Sequence, residues 1–324
     1  MSARYQQASC QWFGATIASM MLCLGCTSPP VACQLSPPPK ADLPERGISA
    51  HRGGKLGCPV NTVGAFQRAI CRGVHQIELD VRATADEVIV VAHDDQVTVQ
   101  DRELQISKTA LAEVQRLELA PCQGEKKAQH IPTLKQALAI MPQNIWINVD
   151  IKKNDPRVGK LVAEIVAKAN RFDQVIFAAR DKAAPAIRQA AEGAGQKSRI
   201  ANMSRELFRG QYVDATIHSC ADFIQLVEVP YIPFVRGKPS PTTMDRLKGA
   251  GIQVNYSWLR KKNEGVLKNE LEDLFDRGVD FILVDHAEQA MKAADTLGIS
   301  PLAPRWDNHF LLPGAELPHC ASTQ

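Results

Sequence analysis

The stretch Gln76-Ile77-Glu78-Leu79-Asp80-Val81 alternates polar and apolar side chains with the period of a β-strand. Residues two apart on a strand share a face, so Glu78 and Asp80 point one way while Ile77, Leu79 and Val81 pack on the other. Two like charges so close repel, and burying them unpaired is costly. A divalent cation on that face resolves the conflict. Taken alone, the ordinary reading is two acids on a solvated strand face.

The segment is not alone. Gly47-Ile48-Ser49-Ala50 is short and apolar enough for a strand and ends in His51-Arg52-Gly53-Gly54. Val88-Ile89-Val90-Val91-Ala92 has the composition of a buried strand and ends in His93-Asp94-Asp95. A further strand, Asn144 to Lys152, sets Asp150 and Lys152 on one face beside Asn148. Four strand ends thus offer two imidazoles, three carboxylates and two cations. A hard cation held by oxygen ligands can polarise a phosphoryl oxygen, and Arg52 can add a bidentate fork to it. His51 and His93 suit proton transfer near neutrality.

These segments, in this order, resemble the glycerophosphodiester phosphodiesterase family. The resemblance rests on His51-Arg52-Gly53, Asn61-Thr62 with Ala65-Phe66, Ile77 to Val81, Val90-Val91-Ala92-His93-Asp94, and Ile131-Pro132-Thr133-Leu134. It continues through Asn148-Val149-Asp150-Ile151-Lys152, Gly278-Val279-Asp280 and Ile282-Leu283-Val284-Asp285. It implies a TIM (β/α)8 barrel, with His51 and His93 as general acid and base. It also implies one divalent cation, Ca2+ or Mg2+, on Glu78, Asp80 and Asp150, and the substrate phosphate on Arg52 and Lys152. The expected reaction is metal-dependent hydrolysis of a small-molecule glycerophosphodiester to glycerol phosphate and an alcohol. Water attacks directly, or a substrate hydroxyl first forms a cyclic phosphate.

Three positions depart from the family pattern. Val60 and Lys135 replace usual acids, and Asp150 is one methylene shorter than the usual glutamate. An aspartate there also resembles the sphingomyelinase D-type phospholipases. A phospholipase D-like action on intact or lyso-phospholipids is therefore the alternative within enzymes. The contrasting class is an inactive, surface-anchored binding protein, against which the retention of all seven polar groups argues.

The 324 residues fit a single catalytic domain, since such barrels occupy about 250. Hydrophobic residues make up 45% and charged ones 23%, ordinary for a globular protein. A net charge of +3, with no glycine-rich nucleotide motif and no aromatic-studded basic stripe, argues against nucleic acid. Oligomeric state is open.

The expected domain plan has four parts. Residues 1–26 read as a signal peptide of lipoprotein type: Trp12 to Gly25 is apolar but shorter than the roughly 20 residues of a membrane span. Cys26 is the candidate lipidation site, with an uncleaved single-span anchor as the alternative. Residues 27–45 are a proline-rich spacer, 46–298 the barrel and 299–324 an irregular tail packed through Trp306 and Phe310. The location implied is exported: bacterial periplasm or envelope, tethered to a membrane surface.

Of nine cysteines, Cys10, Cys23 and Cys26 fall in the leader. Cys33, Cys58, Cys71, Cys122, Cys220 and Cys320 remain, allowing about fifteen pairings. Cys58 and Cys122 both sit in loops expected at the rim of the site, and are expected to pair. Expected barrel strands start near Ile48, Ile77, Ile145, Gln174, Arg199, Asp222, Ile252 and Asp280, with Val88–His93 as an extension beside the second. His75 reads as a surface or site-supporting residue, and Asp285 as the cap of a following helix. His130, His218, His309 and His319 carry no paired motif, and Lys261 and Lys262 read as solvated.

Overall fold

The computed structural model describes residues 43–99, 102–203, 209–227, 238–259, 264–306 and 320. The signal segment, Cys26, most of the spacer, Cys33, Lys261, Lys262, His309, Phe310 and His319 lie outside the described residues.

The first part of the chain runs β1 (Gly47–Ala50), α1 (Val63–Cys71), β2 (Gln76–Ala83), β3 (Ile89–Val91), β4 (Gln96–Val99), β5 (Arg102–Gln105), α2 (Leu111–Val114) and α3 (Leu134–Ile140). Then come β6 (Trp146–Ile151), α4 (Pro156–Lys168), β7 (Val175–Ala179), α5 (Ala183–Gly193), β8 (Arg199–Asn202) and α6 (Arg209–His218). The last elements are β9 (Phe223–Val227), α7 (Pro241–Gly249), β10 (Gln253–Ser257), α8 (Glu264–Asp276), β11 (Phe281–Val284) and α9 (Ala287–Asp295).

Helix starts follow local chemistry. Thr62 caps α1 by accepting from the Ala65 amide, and Thr133 with Gln136 forms a reciprocal capping box on α3. Asp155 and Ser240 each cap a helix whose first residue is proline, which supplies a helical φ and needs no amide donor.

Strands β1, β2, β6, β7, β8, β9, β10 and β11 pair in parallel, each with the next, and β11 returns to β1. The result is the closed (β/α)8 barrel that the resemblance implies. Strand β3 pairs antiparallel with β2, setting Val91 against Val81. It is the expected extension rather than a barrel strand.

Apolar packing divides into three. The main core fills the layer between strands and helices, including Ile48, Phe66, Leu79, Phe177 and Ile282. Inside the barrel, Trp146, Ile176, Phe223 and Phe281 form a plug near the strand starts. The Trp146 and Phe223 rings meet edge to face at 5.7 Å. A third cluster, Val90, Ala92, Ile106, Val114, Leu117 and Ile131, supports the excursion between β3 and α3.

Two disulfides tie loops to this frame. Cys58–Cys122, the expected pair, joins the loop after β1 to the β3–α3 excursion. Cys71–Cys320 joins the end of α1 to the tail. Residues 299–306 lack regular secondary structure, and Trp306 is fixed by an indole hydrogen bond to the Ile140 carbonyl. No helix among the described residues is long and apolar enough to cross a membrane.

His75 is neither at the surface nor near the acids. It is buried at the end of the barrel where the strands begin, accepting from the Ile48 amide and donating to the Ser300 carbonyl. The chain reversal after α1 faces the tail, and that closes over the ring.

Candidate active site

At the opposite end of the barrel, Glu78, Asp80 and Asp150 bring carboxylate oxygens within 4.8 Å of one another. The register of β2 on β6 causes this: Glu78 lies beside Asn148 and Asp80 beside Asp150. Alternation along each strand then sends all four into the barrel mouth. A cavity of about 190 Å³ opens there, lined in part by His51, Arg52, Glu78, His93, Asp150 and Lys152. Six of the seven residues singled out in the sequence line it. The seventh, Asp80, is buried directly beneath.

Asp80 is the most densely partnered. Asn61 Nδ2 donates to its Oδ2 at 2.8 Å, and Arg52 Nε reaches the same oxygen at 2.9 Å. Lys152 Nζ lies 2.6 Å from Oδ1 and 2.7 Å from Asp150 Oδ2, bridging two acids. Burial would raise the Asp80 carboxyl, but Lys152, Asn61 and Arg52 outweigh it and hold the group below the usual range. Glu78 goes the other way. Burial, then the charges of Asp80 and Asp150, raise it well above an ordinary carboxylate.

The loop after β1 aims these partners. Arg52 and Asn61 both adopt left-handed backbone, with φ of 55° and 59°. Such a conformation costs a non-glycine residue about 1–2 kcal/mol. It is over-determined here: the Arg52 amide donates to Glu78 Oε2 at 3.0 Å, and the Asn61 amide to the Arg52 carbonyl at 2.9 Å. Backbone strain is held where donors converge on the acids.

Each candidate acid/base imidazole is anchored through Nδ1. His51 Nδ1 donates to Asp285 Oδ1 at 2.7 Å, and His93 Nδ1 to Asp94 Oδ1 at 2.8 Å. This leaves Nε2 of both rings for proton transfer. His93 reaches the mouth because β3 folds back beside β2 and Arg82 Nε holds its carbonyl at 2.8 Å. Asp285 is not a helix cap: α9 starts at Ala287, and the residue in the cap position is His286, which makes no side-chain cap hydrogen bond. The carboxylate is engaged by His51 and Lys55 instead. Burial would raise it, but those two partners bring it down to about 2. Sequence reading assigned Asp285 the wrong partner because the β11–β1 closure that joins it to His51 spans 234 positions.

The departures from pattern fall unevenly. Lys135 is exposed on α3 and does not line the cavity, whereas Asp150 lies in the cluster itself. The donor set fits a hard divalent cation. All oxygens in the cluster are carboxylates, and their mutual repulsion together with burial is what displaces Glu78. Counting Arg52 and Lys152, the ionised cluster carries one net negative charge. A divalent cation makes it one net positive charge, complementary to a phosphodiester monoanion.

Comparison with known proteins agrees with this frame. The model of the glycerophosphoryl diester phosphodiesterase family matches residues 51–289. Human lysophospholipase D GDPD1 is 34% identical over 38% of this chain and 41% of its own length. A glycerophosphodiester phosphodiesterase of Caldanaerobacter subterraneus subsp. tengcongensis is 32% identical over 40% of this chain and 56% of its own. The chain thus spans about half the length of these curated relatives. Among solved structures, a glycerophosphodiester phosphodiesterase from Agrobacterium tumefaciens superposes with a TM-score of 0.58 at 20% identity, covering 77% of this chain and 99% of the other. An Oleispira antarctica phosphodiesterase in complex with the product sn-glycerol-3-phosphate superposes with a TM-score of 0.59 at 20% identity, covering 77% and 96%. These neighbours share the barrel, and with the match over residues 51–289 the chain belongs to the glycerophosphoryl diester phosphodiesterase family.

Proposed function

We propose that this protein hydrolyses glycerophosphodiesters to glycerol phosphate and an alcohol, with one divalent cation, Ca2+ or Mg2+, held by Glu78, Asp80 and Asp150. The observation that carries the reading is a single cavity holding two carboxylate-anchored imidazoles beside the three-acid cluster.

The cation, when bound, supplies charge neutralisation and polarises a phosphoryl oxygen. Arg52 and Lys152 bind the phosphate from the same wall. One imidazole, His51 or His93, takes the proton through Nε2 from the attacking water, or from a substrate hydroxyl whose cyclic phosphate product water then opens. The other gives a proton to the departing alkoxide as its bond to phosphorus breaks. Asp285 and Asp94 keep the two rings oriented for these transfers.

The test is release of glycerol phosphate from glycerophosphocholine and related diesters, with and without chelator. Turnover that is lost with chelator and restored by Ca2+ or Mg2+ supports the reading. No turnover of any diester with either ion overturns it and leaves the binding-protein class.

A second reading, lysophospholipase D-like action, is favoured by Leu259, a large apolar side chain 39% exposed that lines the cavity. A lysophospholipid would lay its acyl chain there. Turnover of lysophosphatidylcholine without turnover of glycerophosphocholine would establish this reading over the first. Export, with lipidation at Cys26, is part of the proposal. The Cys58–Cys122 and Cys71–Cys320 disulfides suit an oxidising compartment. Labelled palmitate incorporation lost in Cys26→Ser tests the tether.

A further inference from the structure

The inner wall of the barrel offers a fourth oxygen donor beside the three acids. Register sets Asn148 against Glu78 and Asp150 against Asp80. Side chains paired this way project to one side, as do residues two apart, so the four form a two-by-two array. Neighbouring strands are about 4.8 Å apart and successive rungs of one face about 6.6 Å apart. That spacing lets all four side chains converge on one point.

Asn148 lines the same cavity and is only 2% exposed. Its carboxamide oxygen is buried with no hydrogen-bond donor among the described residues. A buried carbonyl oxygen left in this way is destabilising, and its presence in a functional cavity points to a ligand. Asp150, the neighbour two residues on, has a short side chain, and Lys152 Nζ is 2.7 Å from its Oδ2. The corner of the array that Asp150 should fill is therefore weakly supplied with oxygen.

We propose that the Asn148 carboxamide oxygen is a ligand of the divalent cation, making up for the reach that Asp150 lacks. The inference rests on the cation-dependent reading given above. A neutral donor adds coordination without a fourth negative charge, so the occupied site keeps the positive sign a phosphodiester requires. Ca2+ takes six to eight oxygens, protein carbonyls among them, while Mg2+ keeps more of its water. The contribution of Asn148 is accordingly larger for Ca2+.

The experiment is calorimetric titration of Ca2+, then Mg2+, into the chelator-stripped full chain, without substrate. Asn148→Ala should weaken Ca2+ binding by at least about tenfold, with a smaller change for Mg2+. Asp150→Glu placed in the Asn148→Ala background should recover part of that loss, because the longer side chain restores the reach. Asn148→Ser, which keeps a polar atom but shortens it, reports the same effect should the alanine variant not fold. Circular dichroism of each stripped variant checks folding. Wild-type binding with unchanged affinity in both variants overturns the inference alone; a raised KM in them would then place Asn148 on the substrate. Absence of Ca2+ and Mg2+ binding by the wild type overturns the cation-dependent reading as well.

Discussion

His51 Nδ1 and Asp285 Oδ1 lie 2.7 Å apart although 234 positions separate them, because β1 and β11 are neighbours where the barrel closes. The strand partners Ala50 and Val284 immediately precede the two residues. Closure of the sheet therefore builds the dyad. Lys55 Nζ, 2.8 Å from the other oxygen, completes the anchoring of the carboxylate.

From this follows a test of Asp285 as a positioning residue. Asp285→Ala should lower kcat about 100-fold while leaving KM within about threefold, since the group orients the His51 imidazole without touching substrate. Steady-state kinetics separate the two parameters. A change confined to KM would assign Asp285 to binding.

The histidines themselves should be far more sensitive. His51→Ala and His93→Ala are each expected to lower kcat by about 10²–10⁴-fold without loss of folded structure. Near-normal turnover in either variant removes that ring from the acid/base role.

Asn61 offers a test of strain. Asn61→Ala and Asn61→Gly both delete the donor to Asp80, but only alanine keeps a Cβ at a φ of 59°. The glycine variant should be the more stable by about 0.5–1 kcal/mol in urea denaturation, with similar activity losses in the two. Equal stability would show that the loop relaxes out of the left-handed region.

His75 should make stability depend on pH. Burial holds its imidazole down to about 4, against the Ser300 carbonyl, which favours the charged form. In the unfolded chain the group titrates near 6.5, so between those values the unfolded state binds more protons. Stability is then full above pH 6.5 and falls as pH drops toward 4, by a total of about 3 kcal/mol. His75→Gln should flatten this window when urea midpoints at pH 7 and pH 4.5 are compared. An unchanged slope would place the titrating group elsewhere.

The Cys58–Cys122 disulfide closes a loop of 64 positions between the site loop and the excursion carrying His93. Cys58→Ser with Cys122→Ser should lower unfolding free energy by about 2–4 kcal/mol. Activity should fall as well, since Arg68 and the Gln123–Gly57 backbone contact would be left to hold the two loops together. Denaturation and kinetics on the same variant check both.

Local chemistry made much of this protein legible. Period-two alternation marked Glu78 and Asp80 as sharing a face, and the structure brings their carboxylates together. The helix α6 was not foreseen, because it mixes polar, β-branched and aromatic residues, whereas the helix expected after Asp285 is present as α9 but with His286 in the cap position. The β4–β5 hairpin was also missed, because its strands are short and largely exposed.

The donor types, their spacing along each strand and the alternation of strand and helix were legible before folding, since these depend only on neighbouring side chains and their periodicity. Tertiary structure alone decided that Asp285 serves His51, that Lys152 bridges Asp80 and Asp150, that Asn148 sits beside Glu78 and that His75 is sealed at the far end. Each of those relationships depends on strand register or on closure of the barrel. Both are set by packing between segments far apart in the chain.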